Sequence, residues 1–178
     1  MIKGDLYYRH IPPNQDDPVV AVPFPSTKTG VPIWRFEPWI DVELEIPRLS
    51  VKKVITMLVD TGADGTLLSV RDGLAAFGES GYHLLQQSCE ADSSIGIGGS
   101  SSCFKTDAKV ILQHNNGMLE GYSFELAITK PEPKRPCIFK GLGKLGLQLR
   151  IPSVLGRDIL CEFRLVMDYS KHELSLDH

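Results

Sequence analysis

Between Trp39 and Ile46 the chain alternates strictly. Ile40, Val42, Leu44 and Ile46 are apolar, while Asp41, Glu43 and Glu45 between them are charged. Only a strand puts every second side chain on one face, so this stretch predicts a β-strand with one side buried. Val51 to Val59 follows a Pro47-Arg48 break and grows apolar towards its end, which predicts a second strand paired with the first. Phe104 to Leu112 and Glu120 to Thr129 alternate in the same way around Asn115-Asn116-Gly117, a turn sequence. Leu165 to Met167 and Glu173 to Leu176 flank Asp168-Tyr169-Ser170-Lys171 and read as a final hairpin, with Asp168 as a turn acid.

Helix has less support. Ser69 to Phe77 has helical content, with Ser69 placed to cap it and Gly78 placed to stop it. Ile159 to Phe163 reads as a short helix, and Tyr82 to Ser88 as a strand. Asp92 to Ser102 is rich in Gly and Ser and reads as a loop or hairpin tip. Many short strands with little helix predict an all-β barrel or sandwich.

Residues 1–37 hold Pro12, Pro13, Pro18, Pro23, Pro25 and Pro32. Each proline removes a backbone donor, so this segment reads as an extended arm with edge strands, Val19 to Phe24 being the best of them, and not as a central strand. Residues 38–178 then form the domain proper. Residues 130–147, with Pro131, Pro133, Pro136, Gly141, Gly143 and Gly146, read as a loop.

A formal net charge of −3 leaves no electrostatic footprint for nucleic acid, and no basic run addresses an anionic membrane. No apolar run reaches the ~18 residues of a membrane span. With no apolar leader after Met1, the expected compartment is the cytoplasm. Cys89, Cys103, Cys137 and Cys161 form no CxxC and read as reduced thiols, Cys89–Cys103 being the one pair to test for a bridge. The five histidines show no ligand spacing, so neither a metal nor any other cofactor is expected.

The segment Met57-Leu58-Val59-Asp60-Thr61-Gly62-Ala63-Asp64 delivers an aspartate from the end of an apolar strand. Downstream lie a glycine-rich Ile95-Gly96-Ile97-Gly98-Gly99 and then Val154-Leu155-Gly156-Arg157-Asp158-Ile159-Leu160. In that order these motifs resemble the retropepsin-like aspartic peptidases over roughly residues 38–178. The resemblance implies a closed, barrel-like all-β acid-protease fold with a flap hairpin and one or two short helices. It implies endopeptidase activity on peptides or unfolded proteins, without a cofactor. Asp60, Thr61 and Gly62 would be catalytic. Ala63, Asp64, Ile95, Gly96, Ile97, Gly98 and Gly99 would bind substrate. Gly156 and Arg157 would give structural support, Arg157 by pairing with Asp64. Two carboxyls about 3 Å apart share one proton and so supply acid and base together. The chain carries one such motif, and the resemblance therefore implies a homodimer with Asp60 contributed by each copy. A catalytically silent module that dimerises or grips peptides is the alternative.

Overall fold

A computed structural model of the protein describes residues 1–10, 20–22, 37–89, 91–96, 99–130 and 152–178. The strands are β1 (Ile2–His10), β2 (Val20–Val22), β3 (Glu37–Ile46), β4 (Val51–Val59), β5 (Leu67–Leu68), β6 (Ala91–Gly96), β7 (Gly99–Gln113), β8 (Leu119–Thr129), β9 (Val154–Leu155), β10 (Arg164–Asp168) and β11 (Glu173–Asp177). The helices are α1 (Val70–Ser88) and α2 (Arg157–Leu160), and Pro47–Leu49 makes a single 3-10 turn between β3 and β4.

Alternation decides β3. Ile40, Val42, Leu44 and Ile46 are all buried and join one core with Ile55, Met57 and Val59 of β4 and Val110, Leu112, Leu126 and Ile128 of β7 and β8. β7 and β8 pair from Cys103↔Thr129 to Gln113↔Leu119 around the expected Asn115–Gly117 turn, where Gly117 has φ +81°. At that angle a side chain is strained and glycine is not.

All these strands lie in one sheet, in the order β10-β11-β1-β3-β4-β9-β5-β8-β7-β6, with β2 paired to β1. Most pairs are antiparallel, but β4–β9 and β5–β8 are parallel. The sheet curls far enough for β3 to pair with β7 as well, through Leu44↔Val110. It nevertheless ends in two edges among the described residues, β10 and β6.

Three expectations are corrected. The chain is not an all-β closed barrel: it is a mixed α/β fold, with an open-ended sheet of mixed direction and a 19-residue α1. Second, Tyr82 to Ser88 is helical. Tyr82 and Leu85 are buried while Leu84 is 53% exposed. A strand would put 82 and 84 on one face, whereas helical spacing separates them. Ser69 does cap α1, accepting from the Asp72 N–H at 3.2 Å. Gly78, at φ +64°, is non-helical and ends the first run as expected, but a second helical run follows it within α1, and the Tyr82 hydroxyl reaches back to the Val70 carbonyl at 3.2 Å. Third, β1 is internal, paired with β11 on one side and β3 on the other. Its residues precede the first proline, so nothing in them blocks a ladder. The 130–147 loop lies outside the described residues, apart from Lys130. Cys89, Cys103 and Cys161 are free thiols.

In the β10–β11 turn, Asp168 Oδ1 accepts from the Ser170 N–H at 2.9 Å, the Ser170 hydroxyl at 2.5 Å and the Lys171 N–H at 3.2 Å. The Ser170 hydroxyl foremost, with the Lys171 and Ser170 donors, holds this carboxyl down at about 2. A depressed carboxyl stabilises the folded state fully above its unfolded value, about 3.9, and the contribution disappears as pH falls towards 2. Asp168→Asn should therefore lower the melting temperature at pH 6 and converge on the wild type by about pH 2, as followed by circular dichroism.

Candidate functional site

The Asp60 loop grows out of a junction of very short strands. β9, two residues long, lies parallel to β4 through Leu58↔Val154 and Val59↔Leu155, and antiparallel to β5 through Leu67↔Val154. The Asp60 N–H donates to the Leu155 carbonyl at 3.1 Å, and the Ala63 N–H donates to the Asp60 carbonyl at 3.2 Å, closing a turn. Within that turn the Gly62 N–H donates to Asp60 Oδ1 at 2.8 Å. The Arg157 N–H reaches the Ala63 carbonyl at 2.9 Å, and the Arg157 guanidinium is hydrogen-bonded to Asp64. Thr61 lies at the exposed tip.

The strongest brace of the loop is a pair the sequence reading did not single out. Asp158 accepts from the Thr66 N–H at 2.9 Å and from its hydroxyl at 2.7 Å, while Thr66 Oγ1 accepts from the Gly156 N–H at 3.0 Å. Thr66 is 1% exposed. Gly156 fits because a Cβ there would lie 2.4 Å from the Gly65 carbonyl carbon. The Arg157–Asp64 pair, by contrast, leaves its side chains 60% and 86% exposed.

Of the glycine-rich segment, Gly96 pairs with Gly99 at the end of the β6–β7 hairpin, with Ile95 in β6; Ile97 and Gly98 lie outside the described residues. The structure thus gathers Asp60, Thr61, Gly62, Ala63, Asp64, Gly156 and Arg157 into one loop cluster and places the hairpin of Ile95, Gly96 and Gly99 on separate strands.

The peptidase reading is corrected here. Within the chain Asp60 Oδ1 accepts from the Gly62 N–H, and the side chains that converge on one place are two histidines and a glutamate, not aspartates. The mixed α/β fold likewise departs from the acid-protease barrel that the resemblance implied. No family model matches the chain, and no curated protein matches it. The resemblance to retropepsins is therefore confined to short motifs, and neither the endopeptidase assignment nor the silent retropepsin-like alternative is carried forward.

The potential ligands converge elsewhere. His114, Glu120 and His178 bring their donor atoms within 4.8 Å of one another, the one such grouping among the described residues. Each comes from a different place. His114 follows β7, Glu120 opens β8 across the turn, and His178 follows β11. β1 makes the meeting: Ile2 pairs with Leu176 of β11 and bridges to His114. Glu120 Oε2 lies 2.7 Å from His114 Nε2 and 2.9 Å from His178 Nε2. His114 is 7% exposed, and His178 is half in solvent. The imidazoles lie nearly parallel, 6.2 Å apart at 20°, and Phe163 packs on His178 at 5.0 Å.

The electrostatics follow from this contact. His178 foremost, with Tyr122 and His114, holds the Glu120 carboxyl down at about 2, and Glu120 in turn raises His178. The Tyr122 hydroxyl faces the carboxylate without a well-formed hydrogen bond. Sequence spacing missed this cluster because only His114 and Glu120 are neighbours along the chain. Their placement on either side of a readable turn was the available signal.

Gly156→Ala should destabilise the protein by about 1–3 kcal/mol, since its Cβ would overlap backbone that cannot move aside. Arg157→Ala should cost under ~1 kcal/mol, as expected for an exposed pair. Urea unfolding of the two variants measures the contrast.

Proposed function

We propose that the protein binds a divalent transition-metal ion of the zinc type through His114 Nε2, Glu120 and His178 Nε2. The observation that carries this reading is the convergence of two imidazoles and one carboxylate from the β7–β8 hairpin and the segment after β11. Two nitrogens and one oxygen suit zinc, which takes His at about 2.0–2.1 Å and leaves a fourth position to water or another ligand. Ligand atoms now 2.7 and 2.9 Å apart need only a small opening to admit an ion at such bond lengths. The ion would join the β7–β8 hairpin to the segment after β11, so its role is a tether that closes the sheet.

One observation favours a second reading, a metal-free clasp. The Met1 amine lies 3.4 Å from His114 Nδ1. If it donates there, Nε2 keeps its proton and donates to Glu120, which suits a hydrogen bond and not a metal bond.

Calorimetric titration of the protein with zinc chloride separates the two. The expected result is one ion per chain, with affinity reduced at least about tenfold in Glu120→Ala and in His178→Ala, a loss of about 1.4 kcal/mol or more. At a hundredfold excess over the dissociation constant the ion should stabilise the fold by about 2.7 kcal/mol, read as a rise in melting temperature that chelator reverses. No binding heat and no thermal shift, with His178→Ala still lowering the melting temperature, would leave the clasp.

A further inference from the structure

β10 forms one edge of the sheet, with β11 on one side and no strand on the other among the described residues. Such an edge presents unpaired N–H and C=O groups, and natural edges are commonly kept short or guarded by charged side chains, proline or a bulge; β10 is short and carries one charge of each sign at its ends. The strand Arg164-Leu165-Val166-Met167-Asp168 contains neither lysine nor proline.

Its register assigns the two faces. Leu165 pairs with Leu176 and Met167 with Leu174, and both of those leucines are fully buried. Directly opposed residues share a face, so Leu165 and Met167 continue the core layer outwards. Leu165 packs on the core, but Met167, next to the turn, remains 42% exposed. The core layer therefore stops unfinished at this edge. On the opposite face, exposed Arg164 has no ion pair among the described residues. Asp168 Oδ2 is paired with the Lys171 amine at 3.3 Å, and the Lys171 side chain is 69% exposed.

The geometry points to β10 as a self-pairing edge, whose occupant is β10 of a second copy of this chain, antiparallel and centred on Val166. A two-fold axis through Val166 sets Arg164 opposite Asp168 of the second copy, twice. It also sets Leu165 opposite Met167 of the second copy, twice. Opposite charges meet on one face, and the exposed methionines are covered on the other. A strand of one sign, or one with its apolar residues off centre, would not complement itself in this way. The main-chain ladder supplies affinity and the side-chain pairs fix the register, as in strand addition generally. Because a two-fold interface uses the same patch twice, each substitution counts twice.

Five residues per copy make a small contact, well below the ~1,600 Å² of standard interfaces, so the dimer is weak and concentration-dependent. The test is sedimentation velocity from about 5 to 500 µM, with chelator present so that the result is independent of the metal reading. The expected outcome is a rise in weight-average mass towards that of two chains. Met167→Lys and Arg164→Glu should each shift the midpoint at least about tenfold higher, with unchanged circular dichroism. Both positions are exposed, so the variants are expected to fold. A wild type that stays monomeric throughout, or a dimer that both variants leave intact, overturns the proposal.

Discussion

The pairing of β1 on both sides carries much of the architecture. Ile2, 2% exposed, pairs with Leu176 and bridges to His114, while Asp5 and Leu6 pair with β3. Gly4 makes the close approach possible, since a Cβ there would lie 2.4 Å from the Trp39 carbonyl oxygen. Without β1, the β10–β11 hairpin would lose its link to the rest of the sheet, and His178 would have no route to His114. The first and last described strands thus create the only place where the chain gathers several metal-competent side chains among the described residues.

A second junction works on the same principle at smaller scale. β9 and β5 have two residues each, too few to hold themselves by ladder bonds. Asp158 and Thr66 supply what the ladder lacks, with the carboxylate of an exposed residue accepting both from the backbone N–H and from the hydroxyl of the buried Thr66. Hydrogen bonds to a charged acceptor contribute about 1.5–3 kcal/mol, more than a neutral pair. Ser153 plays a related part, its hydroxyl donating to Asp72 Oδ2 at 2.6 Å and accepting from the Ser69 N–H at 3.0 Å, which links the entry to β9 with the cap of α1. The loop that begins at Asp60 is accordingly a well-fixed turn, and that fixity explains why its sequence is so compact in Gly and small residues. Rigidity of this kind serves a fold junction as well as it serves a reaction, and a short string cannot distinguish them.

Much of the sheet was legible in the sequence where one face meets the core. Residues 39–46, 51–59, 104–112, 120–129, 165–167 and 173–176 all fall in strands because alternation is a local consequence of burial. β1 was not legible. Lys3 and Asp5 alternate with Ile2, Gly4 and Leu6, but Gly4 adds no side chain to the apolar face, and the strand's central position comes from partners distant in sequence. The second half of α1 was hidden by Gly78, whose local preference reads as a stop although Tyr82 packing carries the helix on. The loop cluster of Asp60, Gly156 and Arg157 could be anticipated from motif order, but its chemistry could not, because a carboxyl's function depends on what stands opposite it. The His114, Glu120 and His178 grouping was less legible still: sheet topology, not spacing, brings residue 178 to residue 114.

The left-handed residue at Gly78 divides what is formally one helix into two short runs. Neither is long enough to be stable by itself, so each takes its order from the surface it rests on. The first run is fastened by the Ser69 cap and by Ser153, the second by Tyr82 and Leu85. Opening of the second run need not propagate into the first. Amide deuterium uptake should accordingly proceed at two distinct rates along this element, with the boundary at the glycine.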